Sequence, residues 1–423
     1  MLATTALLAA LSTTVHGAAN LINGNWYGQA VDRIIYTGWG QTGTYDKVVG
    51  MSNGQCQTEQ VSYSGGMAPM DEVSWHFRGP MHLKQFAFYA PGTGNSKRGL
   101  RTNPLERRHS HGHHKKAVGD IVTATINGQV VTWANTYGGP ATSVSSSSVT
   151  TATPPMKPST TTTRSVSNAA PTKASAPVAN AGAGNWGRQA YYNVLNATAD
   201  GLVFLNNMGG QGSGVFDTTW GNSLSYASAD AKAGSASPQV LANTLIEDNA
   251  EVIIYSDKPC QGNDCGFYRP GSVAYHGFEG DTKLFLLEFD MPMSGTAGFN
   301  MDMPAAWMLN AAVARTQQYG GCSCWASGCG EWDIFEILDS GNDRAKSTLH
   351  AGSHSGGESD YFERPTSQTM KAAVIFDGSH SAGHILRLPD DAQFSAVLAD
   401  RVVVQWTRSS AIQASTKVFK LGS

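Results

Sequence analysis

Charge is scarce in this 423-residue chain: 14 % of residues are Asp, Glu, Lys or Arg, and 29 basic against 32 acidic side chains leave a net charge of −3 at neutral pH. So weak a balance provides no footprint for nucleic acid or for an anionic membrane surface. Long hydrophobic runs are missing too. Beyond the apolar stretch Leu7-Leu8-Ala9-Ala10-Leu11, nothing approaches the length of a membrane span, and residues 416–423 lack the hydrophobic tail of a lipid-anchor signal. No long segment repeats its apolar residues with the helical period, which removes the all-α classes. Cysteine is limited to six residues. Gly, Ser, Thr, Asn and aromatics are abundant instead, a profile that suits an all-β extracellular protein handling neutral polymers.

Residues 1–19 read as a secretory signal: the apolar stretch is followed by small residues at Gly17-Ala18-Ala19, and only the amino terminus supplies positive charge. The protein is therefore expected to be secreted, extracellular or in the cell wall. In that compartment six cysteines favour disulfides over thiols or a zinc site. Five of them (Cys260, Cys265, Cys322, Cys324, Cys329) lie in the C-terminal half and only Cys56 in the other. Either one bridge spans the two halves or two cysteines stay unpaired.

Composition divides the chain. Residues 20–140 read as a glycine-rich β N-terminal domain, interrupted at 93–118 by a basic, His-rich loop containing Arg107-Arg108. Asn127-Gly128 lies between two strand-like runs and signals a hairpin. The aromatics Trp26, Tyr27, Trp39, Trp75 and Phe77 are either a carbohydrate-binding face of that domain or its core. Residues 141–183 are rich in Ser, Thr, Pro and Ala, too polar to fold, and read as an O-glycosylated spacer. Residues 184–423 form the second domain, a β-sandwich whose expected strands include 283–290, 332–338 and 401–406. Asn196-Ala197-Thr198 is an N-glycosylation acceptor. Residues 339–343 offer calcium-type ligands, but their spacing fails the EF-hand pattern and they read as a polar turn. No cofactor is expected.

The chemistry concentrates in Glu331-Trp332-Asp333-Ile334-Phe335-Glu336. Three carboxylates stand in a short apolar run, where unpaired charge is costly. In a regular strand Glu331 and Asp333 share a face and Glu336 takes the opposite one. One β-bulge resets the alternation and returns Glu336 to the first face, leaving Trp332 and Ile334 or Phe335 for the core. Two Glu carboxyls converging across an Asp are what a retaining glycosidase uses, one as nucleophile and one as acid/base, about 5–5.5 Å apart. Upstream, residues 304–309 read as a neighbouring strand in which Trp307 lines a cleft. Trp325, bracketed by small residues, is a second sugar-stacking candidate, and His350 is placed near the cleft.

Glu331-x-Asp333-x-x-Glu336 resembles the bulged active-site motif of glycoside hydrolase family 16, the laminarinase and lichenase group. Residues 283–292, Pro304-Ala305-Ala306-Trp307 and Thr348-Leu349-His350 resemble the strands around it. The stretch from Gly321 to Glu331, with Cys322, Cys324 and Cys329, is similar to a narrower group: fungal cell-wall proteins with a glycine-rich N-terminal domain, a Ser/Thr linker and a C-terminal endo-β-1,3-glucanase-like domain. That resemblance implies a concanavalin-like jelly roll acting on β-1,3-glucan in the cell-wall matrix. It assigns Glu331 as nucleophile, Asp333 as helper and Glu336 as general acid then base. The alternatives are a wall-remodelling transglycosylase using the same residues, or a non-catalytic glucan-binding mannoprotein.

Overall fold

The computed structural model of the protein describes residues 19–92, 121–126, 129–134 and 181–422. The expected signal, the basic loop and the linker fall almost wholly outside these residues. The chain divides into two units, residues 1–95 with 174–423, and residues 96–173. In the second unit the described strands Ile121–Ile126 and Gln129–Ala134 pair antiparallel with Ile126 opposite Gln129, the hairpin expected around Asn127-Gly128.

The first unit is the expected all-β sandwich, but its two sheets draw on both ends of the chain. In the larger sheet, Glu72–Arg78 is hydrogen-bonded between Glu251–Ser256 and Ala305–Asn310, followed by Glu331–Glu336 and Arg344–His350. In the other, His82–Pro91 runs between Asn185–Asn193 and Thr282–Asp290, followed by Met370–Asp377, Ala382–Arg387 and Arg33–Thr37. The separate N-terminal domain expected at 20–140 is therefore corrected: Glu72–Arg78 and His82–Pro91 are interior strands, and Arg33–Thr37 a further strand, of sheets completed by residues 184–423. The cause is visible in the side chains. Glu72–Arg78 and His82–Pro91 carry bulky apolar residues that no sheet of their own would cover, and the sandwich buries them.

Period-2 alternation sorts these residues. Val73, Trp75 and Phe77 enter the core between the sheets, and Ser74, His76 and Arg78 take the opposite face. The outer sheet is apolar on both faces: Phe86, Phe88, Phe285 and Leu287 face the shared core, and Ala87, Tyr89, Leu284 and Leu286 face outward. Helices Asp400–Arg408 and Ser410–Ala414 cover that outward face with Val403, Trp406 and Ile412. The strand expected at 401–406 is thus an α-helix. The run Val402-Val403-Val404 favours a strand locally, but Val403 and Trp406, three apart, place one helical stripe on the sheet. Of the N-terminal aromatics, Tyr27, Trp39, Trp75 and Phe77 are buried and only Trp26 is exposed. They are core residues rather than a sugar-binding face.

All six cysteines are paired, as Cys56–Cys322, Cys260–Cys265 and Cys324–Cys329. One bridge therefore does span the halves. It ties the hairpin Gly43–Ser52 and Gln55–Tyr63 to the approach of Glu331. The polar turn expected at 339–343 is locked by Asp339, which accepts from Asn23, Tyr27 and Asn342 at 2.9–3.1 Å. Among the described residues no helix is long and apolar enough to cross a membrane.

Candidate active site

The bulge in Glu331–Glu336 is present. Against Ala305–Asn310, Asp333 pairs with Trp307 and Phe335 with Ala306, so Ile334 has no partner. Against Arg344–His350, Asp333 pairs with Thr348 and Glu336 with Lys346, three steps on one strand against two on its neighbour. The unpaired residue lets Trp332, Ile334 and Phe335 all enter the core, fully buried. Glu331, Asp333 and Glu336 are left lining one cavity of about 300 Å³.

Register supplies the neighbours. Ala305 stands opposite both Glu336 and Arg78, so the N-terminal strand delivers a guanidinium to the row of Glu336. Arg78 Nη2 lies 3.4 Å from Glu336 Oε1, and its Nε donates to the Met303 carbonyl at 2.8 Å. The same guanidinium sits 5.9 Å from the centroid of Trp307, whose other neighbour is the His76 ring, stacked at 5.2 Å. Trp307 is 6 % exposed, with its accessible edge on the cavity. On the opposite side the short 3₁₀ turn Trp325–Ser327, closed by Cys324–Cys329, holds Trp325 half exposed. Its indole Nε1 donates to Glu331 Oε2 at 2.5 Å. His350, directly across from Glu331, reaches Asp333 Oδ2 with Nε2 at 3.2 Å.

Burial sets the proton inventory. Asp333 is pushed up to about 8, first by desolvation and then by the charge of Glu336, with His350 pulling the other way. Glu336 is raised by burial, against the opposing pull of Arg78 and with a further push from Glu331. His350 is raised by its hydrogen bond to Asp333. The Asp333–His350 pair therefore holds at least one proton through neutral pH, and Glu336 keeps its proton further up the scale than a free glutamate.

Of the candidate site residues, Glu331, Asp333, Glu336, Trp307 and Trp325 line this cleft; His350 is not among the lining residues and reaches it only through its contact with Asp333. Sequence reasoning missed Arg78, Gln318 and Tyr319, which also line it. Arg78 lies more than two hundred residues from the motif, and only strand register relates them. Tyr319 and Gln318 had a signal, since both immediately precede the Cys-rich approach to Glu331.

Residues 184–406 match the family described as cell wall protein YJL171C/Tos1, C-terminal, and residues 32–91 match its N-terminal counterpart. The chain is 40 % identical to a Candida albicans protein named "Probable circularly permuted 1,3-beta-glucanase TOS1", covering 95 % of this chain and 96 % of the relative. It is 42 % identical to an Arthroderma benhamiae protein named "Probable circularly permuted 1,3-beta-glucanase", covering 91 % of each. It is 40 % identical to a Saccharomyces cerevisiae protein named like the Candida relative, covering 98 % of each. No solved structure matches the chain.

Proposed function

The chain belongs to the YJL171C/Tos1 family of cell wall proteins, and from that membership and the geometry of the cleft we propose that it is a secreted, retaining, endo-acting β-1,3-glucanase of the wall. The observation that carries this reading is the bulge that turns Glu331, Asp333 and Glu336 into one cavity walled by Trp307 and Trp325. The relatives' names point the same way. Their description as circularly permuted agrees with the central position of Glu72–Arg78 and His82–Pro91 in sheets otherwise built, apart from Arg33–Thr37, from the C-terminal segment.

In the first step a Glu331 oxygen attacks the anomeric carbon while the glycosidic C–O bond breaks, and the leaving oxygen takes the proton of Glu336. In the second, Glu336 removes a proton from the acceptor hydroxyl, whose oxygen attacks the same carbon and expels Glu331. Two carboxylates about 5.5 Å apart at an effective dielectric near 20 repel by roughly 3 kcal/mol, so one retains a proton. Arg78 and burial act on Glu336 in opposite senses, and Trp325 donates to Glu331 in the charged form the attack requires. The proton held between Asp333 and His350 offsets the charge of Asp333, so the pair adds no net third negative charge. Esterification of Glu331 removes its charge, lowers the proton affinity of Glu336 and converts it from acid to base.

The test is incubation of the secreted protein and its Glu331→Gln variant with linear β-1,3-glucan oligosaccharides, read by mass spectrometry and early anomeric NMR. Shorter β-anomeric products are expected from the wild type, with turnover in the variant lower by at least about a thousandfold. Longer products mark the acceptor as a sugar and the protein as a transglycosylase. Bound glucan without any product identifies a non-catalytic binder.

A further inference from the structure

Opposite Trp325, the cleft wall is organised by a residue outside the trio. Glu251 opens strand Glu251–Ser256, stands across from Arg78 in register, and has a side chain only 11 % exposed. A carboxylate so enclosed persists only if its lone pairs are filled. His76 Nδ1 lies 2.7 Å from Oε1, and Gln318 Nε2 donates to the same oxygen at 2.8 Å. The Tyr319 hydroxyl donates to Oε2 at 2.7 Å. Desolvation opposes ionisation of Glu251, but these donors outweigh it and hold the carboxyl below the usual glutamate range.

The other nitrogen of His76 is 2.8 Å from Ser74 Oγ, so the imidazole is fixed at both ends while its face stacks on Trp307. Ser74, His76 and Glu251 have the spacing of a hydrolytic triad. Ser74 is fully buried, however, and no substrate reaches it. The unit holds rather than reacts.

What Glu251 organises faces the sugar cavity. Gln318 and Tyr319 line it directly, and Trp307 lines it with His76 behind. Tyr319 is 71 % exposed and is followed by Gly320-Gly321, so without a tether its ring samples several rotamers. We propose that Glu251 is a positioning residue for sugar binding, fixing Tyr319, Gln318 and, through His76, Trp307 as one wall of the cleft. This inference rests on the glucan-active reading above and deepens it. Two aromatic faces with amide and guanidinium donors beside them make the wall a site for a neutral saccharide carrying hydroxyls.

The experiment compares wild type, Glu251→Gln, Tyr319→Phe and the double variant on linear β-1,3-glucan oligosaccharides, for kcat and KM. Each is also placed in the Glu331→Gln background, where calorimetry reads oligosaccharide affinity without turnover. Glu251→Gln is expected to raise KM and weaken affinity about tenfold, with kcat within about threefold. Tyr319→Phe gives a smaller loss of the same kind, and the double variant is no worse than Glu251→Gln, because both break one tether. A kcat loss at unchanged KM, or single-variant effects that multiply, overturns the role. Should Glu251→Gln fail to fold, Tyr319→Phe at its exposed position carries the test, and unchanged affinity there overturns it. Wild-type cleavage and binding with Glu251→Gln unaffected removes only this inference, whereas a wild type that neither cleaves nor binds glucan overturns the functional reading with it.

Discussion

Arg78 shows how one side chain tunes the chemistry of a distant motif. Its guanidinium is the largest force opposing the burial-driven rise of Glu336. Removing the cation leaves only the weaker pull of His350 against desolvation and the Glu331 charge, so the proton of Glu336 is held to higher pH. In a pH profile of kcat/KM, Arg78→Gln is expected to move the alkaline limb upward, because that limb reports loss of the acid's proton. Activity at the optimum falls by about tenfold with the lost charge-assisted contact to the site. An alkaline limb that stays in place or moves down would mean that Glu336 is not the acid, or that Arg78 does not act on it. Glu331, Asp333 and Glu336 were legible as a group from spacing alone, since three carboxylates in an apolar strand demand a purpose. Arg78 was not legible, because a lone arginine ending a strand has the same local appearance wherever its side chain ends up.

Among the elements, the Cys-rich approach and the hairpin of residues 43–63 work as a pair. Cys56 anchors the hairpin to Cys322, Val48 and Met51 pack against that cystine, and Ser327 Oγ accepts from the Asp46 amide at 2.9 Å. The bridge closes a long stretch of chain, so its loss releases much unfolded-state entropy. Replacing Cys56 and Cys322 by Ser is expected to cost about 2–5 kcal/mol, measured by denaturant unfolding. Glucan affinity should weaken with it, as the loop carrying Tyr319 and Trp325 loses its anchor. Full stability in the double variant would show that packing alone seats the hairpin. The β-bulge was legible at this scale, because only an extra residue puts Glu336 beside Asp333. The helix Asp400–Arg408 was not: its valine run reads as a strand until the outer face of a sheet is present for Val403 and Trp406 to cover.

At the level of the whole molecule, the strands Glu72–Arg78 and His82–Pro91 sit inside the two sheets, and the disulfide Cys56–Cys322 crosses between the same segments. Proteolytic nicking between residues 96 and 173 is therefore expected to leave one particle. Gel filtration should show no loss of mass beyond any excised residues, and denaturing gels should resolve two chains only after reduction. Free N- and C-terminal pieces under non-reducing conditions would contradict this architecture. The sequence by itself determined the β class, the disulfide-bearing chemistry of the chain and the carboxylate motif, because composition, cysteine count and period-2 alternation are local properties that survive without neighbours. Only the tertiary structure decided that the two apparent domains share one sandwich, that Arg78 reaches Glu336, and that Glu251 gathers His76, Gln318 and Tyr319. Those facts depend on which strands pair, and pairing is settled by burial of both faces of distant segments at once, which no window along the chain contains.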